Sequence, residues 1–315
     1  MKIGFKFIFP LGSLKVGQGR NFLGDEMSAL GLRKELLKYP EIQYCELFDS
    51  APPFKLDIMV YFNYDEPKRD YAHKSILYFQ NAYPEGNEKM LKIFQARNYD
   101  GYIFINKKLL NLHKEMGFEG IYLPSAIDPE YMRPMPPTSE YKFDVTYVGN
   151  NIKGWERTLR FIYPAAKFNF GLFGRWEWPR RQRIFCRPKR ILHRISKGQI
   201  TYEDLPLLYS CAKIVLDCTL EEHTYWGTIN ARVYDALACN TLIISDVKPS
   251  DECRFKDNII VSSGNKDLEE KIRYYLEHED QRLKIASGGR NLILENDTWK
   301  HRAEDMLGYF KKILN

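Results

Sequence analysis

The sequence predicts an α/β protein made of two domains, each built on a sheet of parallel strands. The chain has 315 residues, enough for two domains that each bury a core of their own. Short runs of β-branched and other apolar residues alternate with longer amphipathic segments, a pattern typical of strands joined by crossover helices. Residues 133–140 are rich in proline and lack apolar periodicity, so they predict a linker.

The first half of the chain predicts one sheet with helices between several of its strands. Its apolar runs have the length of buried strands, whereas two segments with helical periodicity are longer. The predicted helices are Glu26–Lys38 and Lys107–Met116. The predicted strands are Lys2–Phe9, Gln43–Phe48, Asp57–Phe62, Ser75–Gln80, Gly101–Ile105 and Gly120–Leu123.

The second half predicts a second sheet followed by helices. The predicted strands are Asp144–Val148, Phe168–Phe173, Lys213–Cys218, Thr241–Ser245 and Asn258–Val261. The last three amphipathic segments predict helices at Asp267–His278, Asp280–Glu295 and Trp299–Leu314.

Composition indicates an intracellular globular protein. Hydrophobic residues make up 44% of the chain and charged residues 28%, which are ordinary values, and no apolar stretch is long enough to span a membrane. The first residues, MKIGFKFIFPLG, fit a strand better than a signal peptide. The six cysteines form no CxxC motif and no cluster with histidine, so we expect neither a zinc site nor a disulfide framework.

Polar residues gather where the predicted strand Lys213–Cys218 ends, and they predict a ligand site. In open α/β sheets ligands bind beyond the carboxyl ends of strands, and helix N-termini attract phosphate. Thr228 can cap the helix that follows this strand. We therefore expect an anion near Gly227 and Thr228, held by the backbone amides of Ile229, Asn230 and Ala231.

Two charged residues share one flank of that predicted helix. Asp235 lies two turns beyond the helix start, where its carboxylate suits sugar hydroxyl groups, and Arg232 beside it is a further candidate donor contact. The alternative is a plain crossover helix, in which Arg232 and Asp235 form an exposed ion pair at i,i+3.

Several segments carry a resemblance to a known family. LPLLYSCAKIVLDCT, then GTINARVYDALAC, then a strand ending in Ser245-Asp246 resemble the donor-nucleotide half of GT-B glycosyltransferases, most closely the spore-maturation-protein (CgeB-like) type. Further similar segments lie at 99–134, 144–150 (DVTYVGN) and 296–307 (NDTWKHRAEDML). The resemblance implies a GT-B fold of two Rossmann-like domains whose sheets face a central cleft. The implied limits are 1–137 and 138–298, with a last helix at 299–315 that crosses back to the N-terminal domain.

The resemblance also implies roles for single residues. The acid of the helix, here Asp235, would bind the donor ribose. Retaining relatives place a glutamate eight residues earlier, where this chain has Gly227, so retention and inversion both stay open. Glu222 and His223 lie on the same loop and are candidate catalytic residues. Arg157 would neutralise the donor diphosphate.

Two turns complete the expected donor site. Gly149 and Asn150 follow the strand Asp144–Val148 and precede a helix start that could hold a donor phosphate. Gly198 occupies the position where resembled enzymes contact the nucleotide base through their backbone.

The first half has a candidate site of its own in the glycine-rich segment VGQGRNFLGDEM at 16–27. Its glycines permit unusual backbone angles and close approach to a ligand. Asp25 is a candidate general base, and the alternative is an acid that merely opens a helix. The candidate acceptor and loop contacts are Gly17, Gly19, Arg20, Gln80 and Asn81.

The segment Arg175–Lys197 holds nine Lys or Arg residues and one Glu, a net charge of +8, whereas the whole chain carries +6. Apolar residues recur among the cations at near-helical spacing, and Pro188 is expected to kink or split the helix. This composition favours an anionic membrane surface or a lipid-diphosphate acceptor over nucleic acid, because no nucleic-acid-reading motif accompanies it. A solvated insertion whose apolar stripe packs on the domain is the alternative.

Together these features predict a metal-independent, hexosyltransferase-like glycosyltransferase acting in cell-surface polysaccharide or glycoconjugate synthesis. Its donor would be a nucleoside-diphosphate sugar, a substrate rather than a cofactor, and its acceptor a glycan, lipid-linked or protein hydroxyl. We expect no nucleic-acid partner and a cytoplasmic location that includes the inner membrane face. A non-catalytic sugar-nucleotide-binding protein and a nucleotide-sugar epimerase stay open as alternatives.

Overall fold

The computed structural model of the chain describes residues 1–13, 24–62, 65–81, 98–250 and 253–315. Packing divides these residues into two compact units. The first runs as far as Ala126 and also includes Asp297–Asn315, whereas the second contains Ile127–Asn296.

The first unit is built on a parallel sheet. Its strands are β1 (Lys2–Lys6), β2 (Tyr44–Phe48), β3 (Leu56–Tyr61), β4 (Ala72–Phe79), β5 (Gly101–Phe104) and β6 (Gly120–Tyr122), in the order β2-β1-β3-β4-β5-β6. The strands predicted for this half are therefore confirmed. Helix α1 (Gly24–Leu36) follows β1, and helix α2 (Lys107–Glu115) connects β5 to β6.

The second unit is built on a smaller parallel sheet. Its strands are β7 (Val145–Val148), β8 (Phe170–Phe173), β9 (Ile214–Asp217), β10 (Leu242–Ser245) and β11 (Ile259–Val261), in the order β11-β10-β9-β7-β8. Strands β9 and β10 are buried throughout, as continuous β-branched runs between two helix layers require.

The helices of the second unit cover both faces of its sheet. A first helical stretch starts as α3 (Trp155–Arg157) and continues through a π turn (Thr158–Ile162) and a 3₁₀ turn (Tyr163–Lys167). The others are α4 (Arg180–Phe185), α5 (Arg187–Ile195), α6 (Leu205–Cys211), α7 (Glu221–Trp226), α8 (Ala231–Ala238), α9 (Asn265–Glu277) and α10 (Glu279–Asn296). Two outcomes differ from the sequence expectations, since α7 occupies the expected polar loop and α8 starts later than Thr228.

The proline-rich segment at 133–140 packs with the second unit. The amide of Met135 donates to the Ser210 hydroxyl at 2.9 Å. Just before it, the Tyr131 hydroxyl donates to the carbonyl oxygen of Tyr202 at 2.8 Å. The packing boundary therefore precedes the sequence-based limit at residue 137, because these contacts tie the segment to α6 and the loop before it.

The last helix, α11 (Trp299–Leu314), belongs to the first unit. Its Trp299 indole fills the space above Gly31 of α1, where an added Cβ would lie 2.3 Å from the ring. Arg302 donates to the carbonyl oxygens of Pro124 at 2.9 Å and Ser125 at 3.1 Å. The chain therefore returns to its first unit after completing the second.

Within the described ranges, no helix combines the length and the apolar character needed to cross a bilayer. All six cysteines are free thiols.

Candidate ligand site at the carboxyl edge of the second sheet

Three neighbouring strands bring polar groups to one edge of the second sheet. Strands β10, β9 and β7 are adjacent and parallel, so their carboxyl ends meet at the same edge. Ser245 and Asp217 are paired residues at the ends of β10 and β9. This is the edge at which open α/β sheets bind ligands.

Asp217 is the centre of a buried polar network. Its side chain is fully buried, and one carboxylate oxygen accepts from the Arg232 guanidinium at 2.5 Å and from the Asn230 amide at 3.1 Å. The other oxygen accepts from the Ser245 hydroxyl at 2.9 Å. The charge of Asp217 is thus balanced and hydrogen-bonded inside the protein, as a buried carboxylate requires.

Arg232 ties two strands together. Its Nε donates to the carbonyl oxygen of Val148 at 2.9 Å while its Nη1 binds Asp217, and the guanidinium lies 4.8 Å from the centre of the Tyr147 ring. The alternative of an exposed Arg232–Asp235 ion pair is therefore wrong. The sequence also suggested that Arg232 binds the donor, but here its guanidinium serves protein groups.

A second ion pair lies beside the first. The Arg157 guanidinium binds the Asp246 carboxylate, the carbonyl oxygen of Thr219 at 3.0 Å and the Thr224 hydroxyl at 2.7 Å. Burial raises the pKa of Asp246 to about 6, with a further upward contribution from Asp217. Arg157 was expected to neutralise a diphosphate, yet three protein oxygens already occupy it.

Helix α8 begins at Ala231 rather than after Thr228. Its N-cap residue is Asn230, whose side chain binds Asp217 and makes no capping hydrogen bond. Thr228 is buried, and its amide donates to the carbonyl oxygen of His223 at 2.9 Å. The helix N-terminus, and with it the site of anion attraction, therefore lies at Ala231 and not at the expected Ile229.

Gly227 ends helix α7 in the left-handed conformation, with φ of 66°. Its amide donates to the carbonyl oxygen of Thr224 at 3.2 Å, and an added Cβ would lie 3.3 Å from the carbonyl oxygen of Lys248. A glutamate at this position would adopt a strained backbone. Glycine adopts this conformation without such strain.

His223 is a buried histidine on helix α7. Burial, together with the nearby Lys153 ammonium, lowers its pKa to about 4. Its Nδ1 atom has no hydrogen-bond partner in the described part of the chain. The imidazole is therefore neutral at physiological pH and a weak base, while the preceding Glu222 is half-buried.

Asp235 lies in helix α8 and is 5% exposed. Its carboxylate receives no hydrogen bond from any described residue, although Tyr131 and Tyr202 interact with it electrostatically. Burial raises its pKa to about 7, opposed only by Arg232. A buried carboxylate without a hydrogen-bond donor is costly, so this group is suited to accept hydrogen bonds from a ligand.

Lys153 is a cation that the sequence analysis missed. It lies on the turn between β7 and α3, directly before Gly154, whose φ is 89°. Burial lowers its pKa and the neighbouring Arg232 adds to this effect, whereas Asp217 opposes it. Lys153 has no ion-pair partner among the described residues, because Asp217 and Asp246 are each paired with an arginine. In the sequence, its position before a glycine and a helix start could have marked Lys153 as a candidate anion contact.

The turns after β7 and β8 approach each other closely. The amide of Gly174 donates to the carbonyl oxygen of Gly198 at 2.7 Å, and an added Cβ at Gly174 would lie 2.2 Å from the carbonyl oxygen of Gly149. The side-chain oxygen of Asn150 accepts from the Arg175 amide at 3.0 Å. Beside these turns is a cavity of about 350 Å³, lined by Glu140, Tyr141, Phe143, Phe173, Lys197, Gln199, Ile200, Thr201 and Asp204.

The structure describes only some of the candidate residues of the first unit. Gly17, Gly19 and Arg20 lie outside the described residues. Asp25 is half-buried in the first turn of α1, while Gln80 and Asn81 follow β4, the former half-buried and the latter exposed.

Glu26, next to Asp25, has a structural role. Its buried carboxylate accepts from the amides of Gly12 at 2.7 Å and Ser13 at 2.9 Å. Glu26 therefore fixes the start of helix α1 to the residues that follow β1.

Comparison with protein families gives a match to one family model, described as glycosyl transferase-like. It covers residues 155–308, just under half of the chain, and includes helices α7 and α8. Comparison with curated proteins gives no significant match.

Solved structures resemble the chain over almost its whole length. The sucrose-phosphate synthase of Thermosynechococcus elongatus has a TM-score of 0.71 at 12% identity, covering 99% of this chain and 98% of its own. Anabaena HepE in complex with UDP and glucose has a TM-score of 0.68 at 12% identity, covering 99% of both chains. WaaG, a glycosyltransferase involved in lipopolysaccharide biosynthesis, has a TM-score of 0.64 at 13% identity, covering 96% and 98%. These matches show the α/β fold of the GT-B glycosyltransferases.

Proposed function

We propose that the protein is a glycosyltransferase that moves a sugar from a nucleoside-diphosphate sugar to an acceptor hydroxyl group. The observation that carries this proposal is the buried Asp235 carboxylate, which no hydrogen-bond donor of the described chain satisfies. The glycosyl transferase-like match at 155–308 and the HepE structure with UDP and glucose support it. We also propose that it is of the CgeB-like type, because the sequence segments described above resemble that type.

Asp235 is the proposed ribose acceptor. Two hydroxyl groups of a ribose supply the hydrogen bonds that the carboxylate lacks in the free protein, and hydrogen bonds to the ionised form lower a carboxylate pKa. Donor binding is then coupled to the loss of a proton from a group whose pKa is about 7. Affinity for the donor should therefore rise as pH increases through 7.

Lys153 and the start of α8 are the proposed diphosphate contacts. The Lys153 ammonium carries a positive charge that no described carboxylate pairs, and the helix adds the positive end of its dipole at Ala231. Both stabilise the negative charge that develops on the departing nucleotide. Because these groups supply the positive charge, we propose a metal-independent reaction.

The cavity beside Gly198 is the proposed base pocket. Its half-buried aromatic residues Tyr141 and Phe143 are proposed to stack on a base, and Gln199 and Thr201 offer polar groups to the edge of a base. Gly149 and Asn150 position the neighbouring turn, because Gly149 packs against Gly174 and the Asn150 side chain accepts a hydrogen bond from the Arg175 amide.

The first unit is proposed to hold the acceptor. Asp25 is the proposed general base, and Gln80 and Asn81 the proposed acceptor contacts. Glu222 and His223 remain candidates on the donor side, with the neutral imidazole suited to hydrogen bonding rather than to proton abstraction. The proposed acceptor is a glycan, lipid-linked or protein hydroxyl in cell-surface polysaccharide synthesis, in keeping with the fold shared with WaaG.

Product analysis tests the activity. Thermal-shift screening of nucleoside diphosphates and their sugars first identifies the donor, since a ligand at about 100 times its Kd raises stability by about 2.7 kcal/mol. Incubation with that donor should then give transfer or donor hydrolysis, with the anomeric configuration read from the product. Isomerised donor would identify an epimerase, and binding without turnover a non-catalytic binder; either result would refute the proposal.

Asp25→Asn tests the general base. We expect turnover to fall by about 10²–10⁴ while donor affinity stays unchanged. Glu35→Gln on the same helix is the control and should leave turnover intact. Wild-type turnover in Asp25→Asn would remove Asp25 from the mechanism.

A further inference from the structure

The basic segment Arg175–Lys197 folds into a helix pair fixed on the second unit. Trp176 and Leu192 are buried in the core of that unit, and the Trp176 indole donates to the carbonyl oxygen of Gly149 at 2.8 Å. Helix α4 ends at Phe185 and α5 begins at Arg187, so the helix is split next to Pro188, as the sequence predicted. The segment therefore presents a surface of fixed shape.

Only part of the apolar residues in this segment face the core. Leu192 is fully buried and Ile195 packs against the same cluster, whereas Ile184 is 54% exposed and Phe185 is 81% exposed. Phe185 is the most exposed large hydrophobic side chain of the described residues. The single apolar stripe expected from the sequence is thus divided, with α5 anchoring the pair and α4 presenting its apolar residues outward.

A second exposed apolar residue adjoins the pair. The amide of Asn151 donates to the carbonyl oxygen of Arg175 at 3.2 Å, which brings the next residue, Ile152, beside the start of the segment. Ile152 is 63% exposed. Nearby, Lys189 lies 4.8 Å from the centre of the Trp155 ring, and Trp155 contacts Trp178 edge to face.

Exposed cations lie on the same two helices. Arg180, Arg181, Arg187, Arg190 and Arg194 are all exposed. The segment carries a net charge of +8 whereas the whole chain carries +6, so the remainder of the chain carries −2. The positive charge of the protein is therefore concentrated at one surface.

We infer that the helix pair 175–197, hereafter the basic pair, docks the protein on the surface of an anionic lipid bilayer. The arginines face anionic headgroups, and Ile184 and Phe185 enter the boundary between headgroups and acyl chains. A nucleic-acid backbone offers phosphate to the arginines but no apolar layer for an exposed Ile-Phe pair. This inference does not depend on the proposed enzymatic activity.

Co-sedimentation with lipid vesicles tests the inference on the full chain. Vesicles of phosphatidylcholine with phosphatidylglycerol should pellet the protein at low salt, and vesicles of phosphatidylcholine alone should not. Added salt should weaken the binding, because it screens exposed charges.

Two variants separate the apolar and charged contributions. Ile184→Ser with Phe185→Ser should lower the vesicle partition coefficient about tenfold or more, and Arg180→Gln with Arg181→Gln and Arg187→Gln should do the same while flattening the salt dependence. Leu192 is left unchanged because it lies in the core. All the substituted side chains are exposed, so the variants should melt at wild-type temperature.

Matched controls place equal changes elsewhere on the surface. Leu283→Ser with Leu314→Ser replaces two other exposed apolar residues, and Arg273→Gln with Lys284→Gln and Lys300→Gln removes three other exposed cations. Both controls should bind anionic vesicles like the wild type. The inference is wrong if the wild type does not pellet at low salt, or if the controls lose binding equally. It is also wrong if the Ile184→Ser, Phe185→Ser variant binds unchanged, since the surface would then recognise phosphate charge alone.

Discussion

Two buried carboxylates near the same edge of the second sheet have opposite environments. Asp217 accepts hydrogen bonds from Arg232, Asn230 and Ser245, whereas Asp235 accepts none from the described part of the chain. Asp217 is fully buried and Asp235 is almost as deeply buried. One carboxylate therefore holds the unit together, whereas the other lacks a donor in the described chain and is the one we propose for the ligand.

The same distinction holds for the two cations of this edge. Arg157 is occupied by Asp246, Thr219 and Thr224, whereas Lys153 has no ion-pair partner in the described ranges. Charges of opposite sign are thus unbalanced in two places, one suited to hydroxyl groups and one to phosphate. Partner assignments, more than residue type, indicate which charges serve the fold and which serve a ligand.

Removing the arginine that balances Asp217 should have the largest effect. Arg232→Met leaves the Asp217 charge buried without its partner, so we expect the free energy of unfolding to fall by about 3–5 kcal/mol, measured by urea denaturation. The control is Lys213→Gln, which breaks the half-exposed ion pair with Asp144 and should cost at most about 1 kcal/mol. Similar losses for the two variants would refute the distinction between them.

Removing the charge of Asp235 should have the opposite effect on stability. Its pKa is raised from 3.8 to about 7, so its contribution to stability is present below pH 4 and is lost as pH rises through 7. Asp235→Asn removes that loss, and the variant should exceed the wild type by up to about 4 kcal/mol above pH 7, with little difference near pH 4. Thermal unfolding of the ligand-free protein across this range measures it. A variant that is less stable than the wild type at pH 8 would show that Asp235 has a partner in the fold.

Replacing Lys153 should affect ligand binding more than stability. Lys153→Met removes the proposed diphosphate contact, so the affinity for a nucleoside diphosphate should fall by about 1.5–3 kcal/mol. The free energy of unfolding without ligand should not fall, because the lysine makes no ion pair with the described residues and burial disfavours its charge. Lys266→Met on α9 is the control and should bind like the wild type. Unchanged affinity in Lys153→Met would indicate that Arg157, or the start of helix α8 alone, binds the diphosphate.

The sequence predicted the strands well because buried parallel strands are short apolar runs. Such a run can be recognised within its own segment, without knowledge of long-range contacts. It placed the start of α8 too early, because Thr228 is a suitable capping residue. The deciding interactions are distant in sequence: Asn230 turns to Asp217, and helix α7 ends at Gly227 immediately before Thr228. Local sequence propensity cannot predict either of these interactions.

The sequence singled out Asp235 as a ribose acceptor, which stays a prediction, and it favoured Arg157 over Lys153 as the cation of the site. Whether a cation is available depends on which acids reach it in the folded unit, and Asp246 reaches Arg157 from 89 residues away. In the basic segment the periodicity showed apolar residues among cations. It did not show that Leu192 faces the core while Phe185 faces outward.

Calorimetric titration at pH 8 shows whether Asp235 binds the sugar-nucleotide donor. The wild type, Asp235→Ala and Asp25→Asn would each be titrated with the nucleoside-diphosphate sugar selected by the thermal-shift screen. We predict that Asp235→Ala weakens binding by roughly 2–4 kcal/mol, through loss of two hydrogen bonds to a charged acceptor, while Asp25→Asn binds like the wild type. Wild-type affinity in a folded Asp235→Ala variant would show that Asp235 does not bind the donor.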